Sequence, residues 1–124
     1  MNLSVLFWMI FCHVVDDYYL QGCLANLKQK KFWKENAPQE LYKHDYIAAL
    51  IMHAFSWSFM IMLPILVCQN FDPSSRYYMF VVFNTIMHAV IDDQKANRQT
   101  INLIINQSLH MLQIVSTFCV FACY

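Results

Sequence analysis

Histidine and aspartate recur in this chain at helical spacing, inside sequence that is otherwise apolar. His13, Asp17 and Gln21 stand at i, i+4 and i+8, so an α-helix carries them on one face. Asn84, His88, Asp92 and Lys95 repeat the pattern; Asn102, Asn106 and His110 share another face, with Gln107 and Gln113 adjoining. His53 lies eight residues beyond Asp45, with Ser56 following. Neutral imidazoles and carboxylates are ordinary ligands of Zn²⁺. This pattern predicts a divalent metal site, zinc by ligand type, built from His13, His53, His88, Asp92 and His110. Asp17 and Asp92 are the expected catalytic carboxylates, and Gln21, Lys95 and Gln107 the expected substrate contacts.

Such residues need rigid elements around them, and four apolar segments supply these: 3–22, 44–68, 77–95 and 100–123. Each has about the 20 residues that cross a hydrocarbon core of ~30 Å. The reading is an all-α integral membrane bundle of four transmembrane helices, with 1–124 as one domain. Composition agrees: 59% of residues are apolar and 13% charged, against about 25% charged in soluble domains. A single Gly leaves no phosphate-cradling glycine loop, and zero net charge gives no support to a nucleic-acid partner. Membrane lipids are the expected partners, with a membrane-protein partner or a homo-oligomer as further options.

The links fix an orientation. Lys28, Lys30, Lys31, Lys34, Lys43, Lys95 and Arg98 fall in the first and third links, whereas Arg76 lies in the second. The positive-inside bias places the first and third links in the cytoplasm and both termini outside, in a multi-pass cell-membrane protein. The lysine run 28–34 reads as an anchor to anionic headgroups, and Asn36 and Pro38 as the start signal of the second helix. The apolar start has no preceding basic residue and no small-residue cleavage site, so it reads as a retained span.

Depth brings the histidines together. Counted from the flanking polar residues at 1.5 Å per residue, His13, His53, His88 and His110 lie roughly 10–18 Å below the cytoplasmic surface. Asp17 and Asp92 lie about one turn nearer to it. A buried ionised aspartate costs about 2.5–3.5 kcal/mol on the mildest insertion scale, so these groups must face inward and be paired. Asp16 and Asp93 read as solvated or interfacial neighbours of the buried pair. The competing reading is helix glue, in which buried polar groups bond at ~0.6 kcal/mol each; for Asn84, Asn102 and Gln113 singly, glue is the better account. The outer helix halves carry almost no strongly polar residue, which disfavours a through-channel or transporter in one subunit. The five cysteines show no CxxC pair; Cys119 and Cys123 share a helix face.

HVVDDYYLQ (13–21), HAVIDDQK (88–95) and NQSLH (106–110), in that order on four apolar segments, resemble a family of small prokaryotic and phage membrane proteins, domain of unknown function 3307. The resemblance covers nearly the whole chain. It implies functional roles for His13, Asp17, Gln21, His88, Asp92, Lys95, Gln107 and His110. Tyr18 stands where the family has Phe, and Asn106 where it has Asp, which removes a carboxylate. The histidine-rich helices also resemble, at the level of fold, membrane-bound metal-dependent hydrolases. The leading expectation is a metal-dependent intramembrane hydrolase acting on a lipid or phosphoester. The alternative is a non-enzymatic membrane effector, in a host membrane if phage-encoded, in which the polar stripes only hold the helices together.

Overall fold

The computed structural model describes residues 2–122, and among these every regular element is helical. Helix α1 (Leu3–Val15) is capped by Asn2, whose side chain accepts the Ser4 N–H at 2.5 Å. It runs on as a π turn over Asp16–Leu20 and ends at Gly22, whose φ of +50° is the left-handed conformation that glycine tolerates best. Two short helices follow, α2 (Leu24–Leu27) and α3 (Lys30–Asn36). A 3₁₀ turn (Glu40–Tyr42) then leads into α4 (Asp45–Cys68). Helix α5 (Ser75–Asp93) also continues as a π turn (Gln94–Arg98), closed by Gln99 at φ 56°, and α6 (Leu103–Ala122) completes the bundle.

Helix α4 packs against both α1 and α5. Its inward residues, among them His53, Trp57, Ile61 and Ile65, recur every three or four positions. The core has two chemically distinct layers. Val5, Met9, Ile61, Met62, Ile65, Tyr77, Ile114, Phe118 and Phe121 form an apolar cluster, with Trp57 at its edge. Below it lie the buried polar groups His13, Asp16, His53, His88, Asp92, Asn106 and His110. The outer surface inverts the soluble arrangement. Phe7 (74% exposed), Phe11, Ile51, Phe55, Phe83, Ile104 and Leu112 all face outward.

Three stretches are long and apolar enough to cross a membrane: Leu3–Leu20, Glu40–Cys68 and Leu103–Ala122. They point to a membrane protein. Helix α5 has 19 residues, a length of about 28 Å, but Asn84, His88, Asp92 and Asp93 make it too polar to qualify by composition.

The links also differ from expectation. The first folds into α2 and α3, and α4 begins at Asp45, beyond Asn36 and Pro38. Asp92 and Asp93 lie inside α5, within the expected 77–95 segment, and the helix runs on past Lys95 as a π turn to Arg98. Cys123 lies outside the described residues, and so does the helix face expected to carry it with Cys119.

Candidate metal centre

The two His-x3-Asp elements sit at the ends of α1 and α5, each beside a π turn. Helices α4 and α6 bring His53 and His110 to the same layer, so four histidines from four helices meet. The His53 and His88 Nε2 atoms are 3.2 Å apart. The rings of His88 and His110 stack at 4.1 Å between centroids, Trp57 lies against His88 also at 4.1 Å, and Trp57 and His110 are themselves 5.3 Å apart, so the three rings form one cluster. His88, His110 and Trp57 are fully buried.

Asp92 is the hub of this layer. Its Oδ1 accepts from Asn106 Nδ2 at 3.1 Å and lies 3.2 Å from His110 Nε2. Its Oδ2 lies 3.4 Å from His53 Nε2 and 3.7 Å from His88 Nε2. Asp17 Oδ1 stands 3.3 Å from His53 Nε2. Two groups therefore bring three ligand atoms within metal-binding reach: Asp17, His53 and His88; and His88, Asp92 and His110.

His13 is placed differently. Its Nδ1 accepts from the Trp57 indole N–H at 2.6 Å, which leaves the neutral ring's hydrogen on Nε2, directed at Gln107 Oε1 3.0 Å away. Both ring nitrogens are thus engaged, and His13 belongs to neither ligand group. Gln107 Nε2 in turn donates to Asp17 Oδ2 at 3.0 Å and to Asn106 Oδ1 at 3.2 Å. A continuous chain of hydrogen bonds runs from Trp57 through His13 and Gln107 to Asp17, and through Asn106 to Asp92.

Two acidic and basic residues depart from their sequence readings. Asp16 is buried at 1% exposure rather than solvated. Its Oδ1 accepts from Ser56 Oγ at 2.6 Å, and its Oδ2 lies 3.8 Å from His53 Nδ1. The widened π turn following His13 lets both consecutive aspartates face inward. Lys28, read as part of a lipid-anchoring run, is an ion-pair partner within the bundle, with its ammonium 2.5 Å from Asp92 Oδ2. The bend at α2 folds it beneath the bundle.

The Nδ1 atoms of His53, His88 and His110 have no hydrogen-bond partner, nor has Asp16 Oδ2. The histidines are held by packing and by their Nε2 atoms, which all turn toward the carboxylates. Above this layer, Asn84, Gln113 and Thr117 bond to one another: Gln113 Nε2 donates to Asn84 Oδ1 at 2.8 Å, and the Thr117 hydroxyl lies 3.2 Å from the same oxygen. Among the described residues that knot makes no hydrogen bond to the ligand groups, and it fits helix glue.

The predicted substrate contacts gather at one opening. A cavity of about 390 Å³ is lined by Gln21, Lys28, Lys95 and Gln107, with Asp17 and Asp92 at its floor. Sequence reasoning missed Trp57, Lys28 and Asp16. Trp57 carried a signal, since it lies one helical turn from His53 on the same stripe. Lys28 carried none, because only the fold of the link brings it to Asp92.

Comparison with curated proteins and with solved structures gives no match. The family described as protein of unknown function (DUF3307) matches residues 5–123, and with almost the full length covered the chain belongs to that family.

Proposed function

We propose that the chain is a four-span membrane protein whose His53, His88, His110 and Asp92, with Asp17, hold a divalent metal ion, zinc by ligand type, for hydrolysis of a lipid or phosphoester. In this reading α5 is the remaining span, shielded by α4 and α6, and the chamber opens to the lysine-rich cytoplasmic side. One observation carries the proposal. Three ligand atoms, His88 Nε2, Asp17 Oδ1 and Asp92 Oδ2, converge on His53 Nε2 at 3.2, 3.3 and 3.4 Å. An imidazole nitrogen carries at most one hydrogen, which satisfies one of these three. Tetrahedral Zn²⁺ with bonds of about 2.0–2.1 Å separates its ligand atoms by roughly 3.3 Å, so a cation held by three of these groups, with the fourth position left to water and Asp17 beside it, accounts for the set.

Such an ion supplies Lewis acidity and activates water. The chain's own groups divide the remaining work. Asp17, oriented by Gln107, accepts the proton of the attacking water. Asp16 faces the far nitrogen of His53 at 3.8 Å, the side from which carboxylates commonly orient metal-ligating histidines. Lys95 and Gln21 at the mouth meet the anionic part of the substrate. His13, with both nitrogens engaged, positions Gln107 rather than binding metal.

The Lys28–Asp92 pair favours a second reading, because it neutralises Asp92 without a metal. There the network is glue, and the chain acts as a non-enzymatic effector on another membrane protein. Elemental analysis decides between them. Protein purified without chelator should carry about one equivalent of metal, which His88→Ala and His110→Ala lose while remaining folded by circular dichroism. Folded wild-type protein that neither carries metal nor takes up added zinc sinks the metal reading.

A further inference from the structure

The chamber above Asp17 and Asp92 is not closed on all sides. Tyr18, Leu103 and Gln107 line it and also line a second, shallower cavity of about 530 Å³, which continues over Ile104, Ser108 and Met111. This groove lies between the π turn after α1 and the first turns of α6. Its wall is chiefly apolar, and it faces the outer surface, where Leu103 and Ile104 are exposed. Gln107 stands at the junction, with its amide committed to Asp17 and His13 on the chamber side.

The two spaces differ in charge as well as polarity. The chamber presents Lys28 and Lys95 against Asp17 and Asp92, two charges of each sign. A divalent ion on the histidine cluster leaves that chamber with two positive charges in excess, a match for a phosphate dianion. Among the described residues that line it, the groove has no ionisable side chain except the Tyr18 phenol at the junction.

From this continuity we infer that the substrate is an amphiphile bearing a phosphate, with its headgroup in the chamber and its hydrocarbon chain in the groove between the π turn and α6. The inference rests on the chamber being the reaction site, and it deepens the hydrolase reading by naming the substrate class and its route. A lipid enters sideways from the bilayer between α1 and α6, so its chain never leaves an apolar environment. Only the phosphate crosses into the polar layer, where lysine and amide donors replace its water.

The test uses the full chain in nanodiscs, with empty nanodiscs as blank, and inorganic, butyl and hexyl phosphate as probes. Calorimetry should show affinity rising by about threefold to fourfold per methylene from butyl to hexyl phosphate, the increment of burying a CH₂. Ser108→Trp, at an exposed groove position, should flatten that rise while leaving inorganic phosphate binding unchanged. Ile104→Asn serves as a second groove variant should the bulky one misfold. Lys95→Gln should weaken all three probes. Equal affinities for inorganic and hexyl phosphate, or a rise that survives in both folded groove variants, overturn the inference. Metal counted in the same samples separates the two proposals. One equivalent of metal without chain-length dependence removes the amphiphile alone. Chain-length dependence that the groove variants abolish, in protein without metal, supports the groove and removes only the hydrolytic centre.

Discussion

The ion pair between Lys28 and Asp92 allows a quantitative test of how the polar layer is held. The two charged atoms are 2.5 Å apart, with side chains 12% and 5% exposed. Removing one partner of a buried pair costs about 3–5 kcal/mol, because the other charge stays buried. Lys28 keeps a path to the chamber mouth, so Asp92→Asn should fall near the lower end, about 3 kcal/mol. Lys28→Met leaves Asp92 with its Asn106 bond at 3.1 Å and His110 at 3.2 Å, and should cost a similar amount, about 3 kcal/mol. The double variant buries neither charge alone, so its cost should fall short of the sum by roughly 2–3 kcal/mol. Reversible unfolding in mixed micelles with chelator present, for the wild type, both single variants and the double, measures this coupling. Added zinc should reduce it, since an ion on the cluster supplies the positive charge that Lys28 otherwise provides. Additivity within about 0.5 kcal/mol would refute the pairing and the electrostatic account built on it.

Trp57→Phe keeps a ring against His88 but removes the 2.6 Å bond to His13. An unsatisfied buried acceptor should cost about 1–3 kcal/mol, and the His13 proton should redistribute between its nitrogens, which imidazole ¹⁵N shifts report; an unchanged tautomer would contradict the assigned hydrogen-bond chain. Asn84→Leu breaks the knot with Gln113 and Thr117. It should cost about 1–2 kcal/mol of unfolding free energy and leave metal content unchanged, so a loss of metal would show that glue and site are not separate.

Much of the site was legible because helical periodicity is a local property. His13 with Asp17, and His88 with Asp92, had to share faces once their segments were helical, and equal depths had to place the histidines in one layer. Which nitrogens turn to which partners was not legible. His13 and His88 have the same sequence context, a histidine four residues before an aspartate, yet Trp57 and Gln107 occupy both nitrogens of the first. The second has its ring packed against those of Trp57 and His110. These outcomes depend on contacts between helices. The π turns were hidden for a related reason. Each adds one residue to a helical turn, which alters the inward face without altering the apolar pattern that predicts a helix. Reading Asp16 as solvated failed there, because a regular α-helix argues against two consecutive inward side chains.

The position of Lys28 also bears on the order in which the chain can assemble. It precedes Asp92 by 64 residues and sits on a short connecting segment rather than in a long helix. A chain made from its N-terminus has α1, the α2–α3 bend and α4 in hand before α5 is finished. The cation is therefore available before the carboxylate needs it, and α5 can dock without an interval in which Asp92 is buried alone. The reverse order would offer no such protection. Completion of α5 draws Lys28 to its final partner, and the bundle closes around a charge that was delivered in advance.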